Sequence, residues 1–253
     1  MKKLLLILLC LPMIGFGQNV NIPDTNFKAY LVGEPNINTN GDSEIQVSEA
    51  TAFSDTINCS NLNISDLTGI EDFISLTHLY CHNNQLTSLD VSNNLALTKL
   101  YCGDNLLTSL DVSGATALTN LHCGINQLTS LDVSANIALI ILNCNDNQLT
   151  SLDIRNGNNV NFTSLWCVNN PNLYCIDVDD VAWSDTNWTN IDSWASFSTN
   201  CSTAFGCLDS LAINYDSLAT IDDSSCVYCD LIIDSLLVTQ LTCFNYNNAS
   251  VDI

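Results

Sequence analysis

From Leu76 onward, apolar and polar positions recur with a fixed period. The chain reads LTHLYCHNNQLTSLDVSNNLA from Leu76, LTKLYCGDNLLTSLDVSGATA from Leu97, LTNLHCGINQLTSLDVSANIA from Leu118 and LIILNCNDNQLTSLDIRNG from Leu139. Looser copies flank them, from Ile57-Asn58-Cys59 to Ile74 and from Phe162 through Trp166-Cys167 to Leu173. That makes about six coils, above the three or so that stacking needs to bury a continuous core. Leu79, Leu100, Leu121, Leu142 and Leu165 alternate with neighbours expected to be exposed, the period-two mark of a strand. Identical strands one coil apart are expected to pair in parallel, about 4.8 Å from each other.

Each column then acquires a role. Cys59, Cys81, Cys102, Cys123, Cys144 and Cys167 are expected to stack inward as small apolar groups, unbridged. Asn84, Asn105, Asn126, Asn147 and Asn170 follow. A carboxamide both donates and accepts, so this column can satisfy backbone groups where each coil leaves its strand. The return path supplies Leu86, Leu89, Val91 and their equivalents to the core. Asp90, Asp111, Asp132 and Asp153 recur there, read as solvated caps of nearby N–H groups rather than as a cation ladder.

These units are the leucine-rich-repeat pattern, and they resemble the 21-residue cysteine-containing repeats of bacterial internalin-like surface proteins over residues 57–174. The resemblance implies an α/β-type leucine-rich-repeat solenoid. It would be a right-handed parallel β-coil with a strand-lined concave face, used for protein or glycan recognition. On that face, columns beside the inward leucines hold His78 and Lys99, then Tyr80, Tyr101, His122, Asn143 and Trp166, then His82. These eight are the candidate ligand-binding residues, because aromatics give contact area at low entropic cost. The bland alternative is that aromatics favour any exposed strand.

The ends read differently. Lys2 and Lys3, an apolar run from Leu4 to Ile14 and Gly15-Phe16-Gly17 describe a signal peptide over residues 1–17. Cys10 raises a lipoprotein anchor, against which the large Leu9 argues. Residues 18–56 form a small helical N-terminal cap, its helix entered at Pro23-Asp24-Thr25. Within it Asn38, Asn40, Asp42, Gln46 and Glu49 fall at positions 1, 3, 5, 9 and 12 of an EF-hand loop, but Ser43 replaces the usual glycine. A weak calcium loop and an ion-free cap loop both remain open; no cofactor is otherwise required.

Residues 175–201 resemble the terminal segment of similar repeat proteins, with Cys175 and Cys201 closing a C-terminal cap around Trp183, Trp188 and Trp194. Residues 202–229 resemble a Cys/Asp-rich module of secreted Bacteroidetes-type proteins, in which a Cys207–Cys226 bridge is the economical pairing. Residues 230–253 look like the start of a truncated gliding-adhesin β-sandwich repeat, so the chain reads as the front part of a longer protein. The pairing of Cys229 and Cys243 stays open, and Cys226 to Cys229 is too isolated a CxxC for zinc.

Charge narrows the function. Five basic residues stand against 27 acidic ones, a net charge of −22. Such a surface repels nucleic acid and anionic membranes. No Gly-x-Ser-x-Gly elbow, Walker loop or HExxH occurs, which argues against an enzyme. The expectation is a secreted or cell-surface binding module for an extracellular protein or glycan. Its rivals are a passive spacer in a longer adhesin and the accessory region of an enzyme whose catalytic domain lies elsewhere.

Overall fold

The computed structural model describes residues 17–203, 205–217, 219, 221–222, 224–231 and 241–245. The expected signal peptide, Gly17 apart, and most of the 230–253 segment lie outside the described residues. The strand that opens each repeat is short because only three residues alternate before the cysteine and asparagine turn the chain away. In chain order the strands of the solenoid are β1 (Thr56–Asn58), β2 (His78–Tyr80), β3 (Lys99–Tyr101), β4 (Asn120–His122), β5 (Ser130–Asp132), β6 (Ile141–Asn143), β7 (Ser151–Asp153), β8 (Ser164–Cys167), β9 (Cys175–Asp177), β10 (Asn190–Ile191) and β11 (Ser196–Ser198).

Seven of them form one parallel sheet in the order β1-β2-β3-β4-β6-β8-β10. Leu79, Leu100 and Leu121 sit opposite one another in register, as do Tyr80, Tyr101 and His122. The repeat gives about six coils; the seventh strand is β10, which adds Asn190 beside Trp166 although its sequence has left the repeat pattern. The return path, read only as a connector, pairs too: β11, β9, β7 and β5 make a second parallel sheet.

Between the sheets lies one continuous apolar core. Leu79, Leu100, Leu121 and Leu142 are fully buried, and so are Leu86, Leu107, Leu128 and Leu149 across from them. The six column cysteines are buried and unbridged. Asn126 shows how the amide column works. Its Oδ1 accepts from Leu107 N at 3.0 Å, while its Nδ2 donates to Cys102 O at 3.1 Å and Cys123 O at 3.0 Å. Asn84, Asn105, Asn147 and Asn170 repeat this bridge between one coil and the next. A second buried amide column escaped the repeat reading: Asn94 donates to Ile70 O and Phe73 O, and Asn136 to Val112 O and Ala115 O.

Burial shields all six thiols, and it raises those of Cys59, Cys81, Cys102 and Cys123 above the ordinary thiol value. The Cys59 and Cys102 thiols are pushed up to about 12, and burial lifts Cys123 well above its ordinary value. The thiolate is the reactive form. Alkylation mapped by mass spectrometry should therefore leave Cys59, Cys81, Cys102, Cys123, Cys144 and Cys167 unlabelled in the native protein and label all six in denaturant. Labelling of the native column at the denatured rate would contradict this packing.

Both ends are covered. Helix α1 (Thr25–Gly33) is capped by Asp24, whose carboxylate also reaches Ser65 N at 2.9 Å and so ties the cap to the first coil. Phe27, Leu31, Ile37 and Ile45 bury their side chains against that coil. Tyr30 Oη accepts from Asn58 N at 2.9 Å, satisfying an edge donor of β1. At the far end Trp188 is buried among Phe162, Trp183 and Phe197 and donates to Phe162 O at 3.0 Å. The Asp192 carboxylate takes the Asn169 and Asn170 N–H groups. A disulfide joins Cys175 to Cys201, and a second joins Cys207 to Cys226. Beyond them β12 (Phe205–Gly206) pairs with β13 (Ile221–Asp222), and β14 (Val227–Leu231) runs antiparallel to β15 (Leu241–Asn245), with Cys229 opposite Cys243.

Candidate functional site

The seven-stranded sheet has one face in the core and one in solvent. Strands β2, β3, β4 and β6 each bury their middle residue and leave the flanking two half-exposed. Parallel register lines these flanking residues up in columns. In one, Tyr80 and Tyr101 meet edge to face at 4.8 Å, and Tyr101 lies 4.1 Å from His122 between ring centroids. His122 is 6.4 Å from Trp166, across Asn143. His78 lies 6.4 Å from Tyr80 with its ring nearly parallel. Aromatic pairs prefer such tilted or edge contacts, which fix the rings before any ligand arrives.

Partial burial lowers the His122 imidazole from its ordinary value, favouring the neutral ring. Lys28 and Arg155 are spent in ion pairs with Glu44 and with Asp153 and Asp177. Lys99 has no carboxylate within ion-pair distance among the described residues, and it lies between His78 and Asn120 on this face. His82, expected on the strand, follows it and shares a 2.9 Å hydrogen bond with Ser60 Oγ.

Beside the ring column runs a trough. His82, Tyr101, Gly103, Asp104, His122, Gly124, Ile125, Asn143, Asn145 and Asp146 line a cavity of about 330 Å³. The outer wall comes from the turn after each strand, where Asn83, Asp104, Ile125, Asp146 and Asn169 have φ between 54° and 61°. Asparagine and aspartate tolerate that left-handed conformation; a β-branched residue there is a rare exception. Ile125 is that exception, and its side chain is 56% exposed. Asp104, Ile125 and Asp146 were not among the sequence-derived candidates, although an isoleucine in a column of Asn and Asp was the available signal.

The functional domain of InlJ from Listeria monocytogenes, whose structure is described as including a cysteine ladder, matches with 32% identity over 70% of this chain and 44% of that one, at a TM-score of 0.55. The fold is a leucine-rich-repeat solenoid. An internalin (inlF) from the same organism matches with 23% identity over 60% of this chain and 42% of that one, at a TM-score of 0.42. The chain thus spans less than half the length of either neighbour. No protein-family model matches it, and no curated protein does.

The EF-hand-like residues do converge, but on each other. Asn40 Nδ2 donates to Asp42 Oδ2 and Gln46 Oε1, and Asn38 Oδ1 accepts from Gly41 N. Glu49 Oε2 accepts from Gln46 N, while its Oε1 accepts from Thr39 N, Thr39 Oγ1 and Asn40 N. Burial raises the Glu49 carboxyl, yet these bonds outweigh it and hold the group below its ordinary value. Glu49 thus completes a capping box on helix α2 (Val47–Ala52). The return-path aspartates behave similarly: Asp90, Asp111 and Asp132 accept from the N–H groups of Ser92, Ser113 and Ser134. Among the described residues no cluster of three or more His, Cys, Asp or Glu side chains could hold a metal ion, and no helix is long and apolar enough to cross a membrane.

Proposed function

We propose that the chain is an exported adhesion or recognition module that engages an extracellular protein or glycan through the solvent face of its seven-stranded sheet, without a chemical step. The observation that carries this reading is the row of preset rings from Tyr80 to Trp166, interrupted only at Asn143, with largely polar residues such as His78, Lys99, Asn120 and Asn145 beside it. Rigid aromatics on a polar-rimmed face are the usual anchors of binding energy. The likeness to the InlJ functional domain supports the same use of the fold. Two disulfides support an oxidising, extracellular setting, as does the basic-then-apolar start of the chain.

The test is a triple variant, Tyr80→Ala, Tyr101→Ala and Trp166→Ala, compared with the parent for attachment to immobilised glycans and extracellular proteins. Loss of the anchors should weaken binding about a hundredfold, equivalent to ~2.7 kcal/mol. The far-ultraviolet circular dichroism should not change, because the substituted side chains lie outside the core. Equal attachment of variant and parent to every surface would favour the passive spacer.

A further inference from the structure

The trough beside the rings narrows the ligand class, given that the strand face is the binding surface. We infer that the space over Gly103 and Gly124 is a subsite for one uncharged pyranose unit of a glycan.

Its size comes first. A cavity of about 330 Å³ lies at the small end of the roughly 300–1,000 Å³ typical of small-molecule sites. It exists because two consecutive coils carry glycine where the neighbouring coils carry His82, Asn145 and Val168. Neither glycine has a positive φ, so backbone conformation does not demand them. A Cβ on Gly124 would stand 2.9 Å from Asn143 Oδ1 and 3.2 Å from Asn145 O, closing the trough from within.

The lining chemistry fits a polyol with apolar faces. The Tyr101 and His122 rings form one side, surfaces on which the C–H face of a sugar can lie. Asn143 Oδ1 accepts from Asn145 N, and Asn145 Oδ1 accepts from Val168 N. Both amide nitrogens are left without a partner among the described residues. Asp146 Oδ1 is taken by Asn169, whereas the Asp104 carboxylate has no partner among the described residues. Amide donors and carboxylate acceptors in one cavity suit hydroxyl groups, which both donate and accept. Two carboxylates with no lysine or arginine in the lining, on a chain of net charge −22, repel sialylated, uronic or sulfated sugars.

Ile125 is the second line of argument. It holds a left-handed conformation that costs an isoleucine stability, and with 56% of its surface exposed it regains only part of that by burial. Strain kept at a cavity wall points to a contact made there with something else.

The experiment compares the whole chain with Ile125→Asn on immobilised neutral oligosaccharides (galactose-, mannose- or N-acetylhexosamine-terminated), on sialylated and sulfated ones, and on a basic peptide. Asparagine occupies the equivalent position at Asn83 and Asn169, so the variant should melt about 2–4 °C higher. Its affinity for the bound neutral glycan should fall about tenfold. Opposite movement of the two readouts excludes misfolding as the cause. Preference for acidic glycans or for the peptide would overturn the sugar class. Binding that is lost in the triple ring variant but indifferent to Ile125→Asn would overturn the subsite and leave the strand-face reading standing. Binding indifferent to both would remove that reading as well.

Discussion

Asn126→Ala is expected to destabilise the protein by about 2–4 kcal/mol. The Asn126 side chain closes bonds to four backbone groups in a site that is 9% exposed: Leu107 N, Cys102 O, Cys123 O and, more weakly, Gly124 O. Alanine leaves the Leu107 N–H without a partner in a water-poor core, at roughly 1–3 kcal/mol, and removes one of the two amide donors from each of Cys102 O and Cys123 O, which keep Asn105 and Asn147. The melting temperature should fall by about 10 °C, taking 2–4 °C per kcal/mol for a chain of this size. Asn126→Asp keeps the acceptor, loses the donors and buries a charge, so it should be at least as harmful. The exposed neighbour Gln127→Ala should move stability by less than about 0.5 kcal/mol. Denaturant melts of the three variants are the measurement, and a loss under 1 kcal/mol for Asn126→Ala would show that the column does not bear this load.

Opening the Cys175–Cys201 bridge should cost a similar amount. The bond spans a sequence separation of 26, and the chain-entropy argument gives about 3.5 kcal/mol for a loop of that size. The expected loss is local in character. A solenoid is a line of nearest-neighbour contacts, so weakening its last element frees the end before the middle. In the double variant Cys175→Ser and Cys201→Ser, amides of β9, β10 and β11 should exchange fast while those of β3 and β4 keep their protection. Trp188 and Phe197 would lose their enclosure, and Asp192 its hold on the Asn169 and Asn170 amides. Cys207→Ser with Cys226→Ser lies outside the solenoid sheets and should leave the solenoid melt unchanged. Uniform loss of protection along all coils would refute end-first opening.

The inward columns of leucine, cysteine and the first asparagine were legible because each repeats without a gap and each residue type admits one inward role. The second amide column was not, since Ala115 interrupts it between Asn94 and Asn136. Strand β10 was hidden for a related reason. Its two residues follow no repeat, and their place is set by Trp188 and the cap rather than by local alternation. The loop from Asn38 to Glu49 shows another limit. Oxygen-bearing side chains at ligand spacing serve equally well as mutual caps, and composition cannot separate the two uses. On the strand face, sequence alone located the ring row. It missed the trough, because that depends on what stands beside Gly103 and Gly124 in space and on the backbone twist at Ile125.

Strands β2, β3 and β4 face one another residue for residue at an unchanging offset of 21. A block of that length can therefore be copied or excised in frame, and the junction it leaves is the same as the one it replaced. Length is thereby uncoupled from contact chemistry: duplication sets how far the face reaches, while point substitution at its solvent-facing positions sets what it grips.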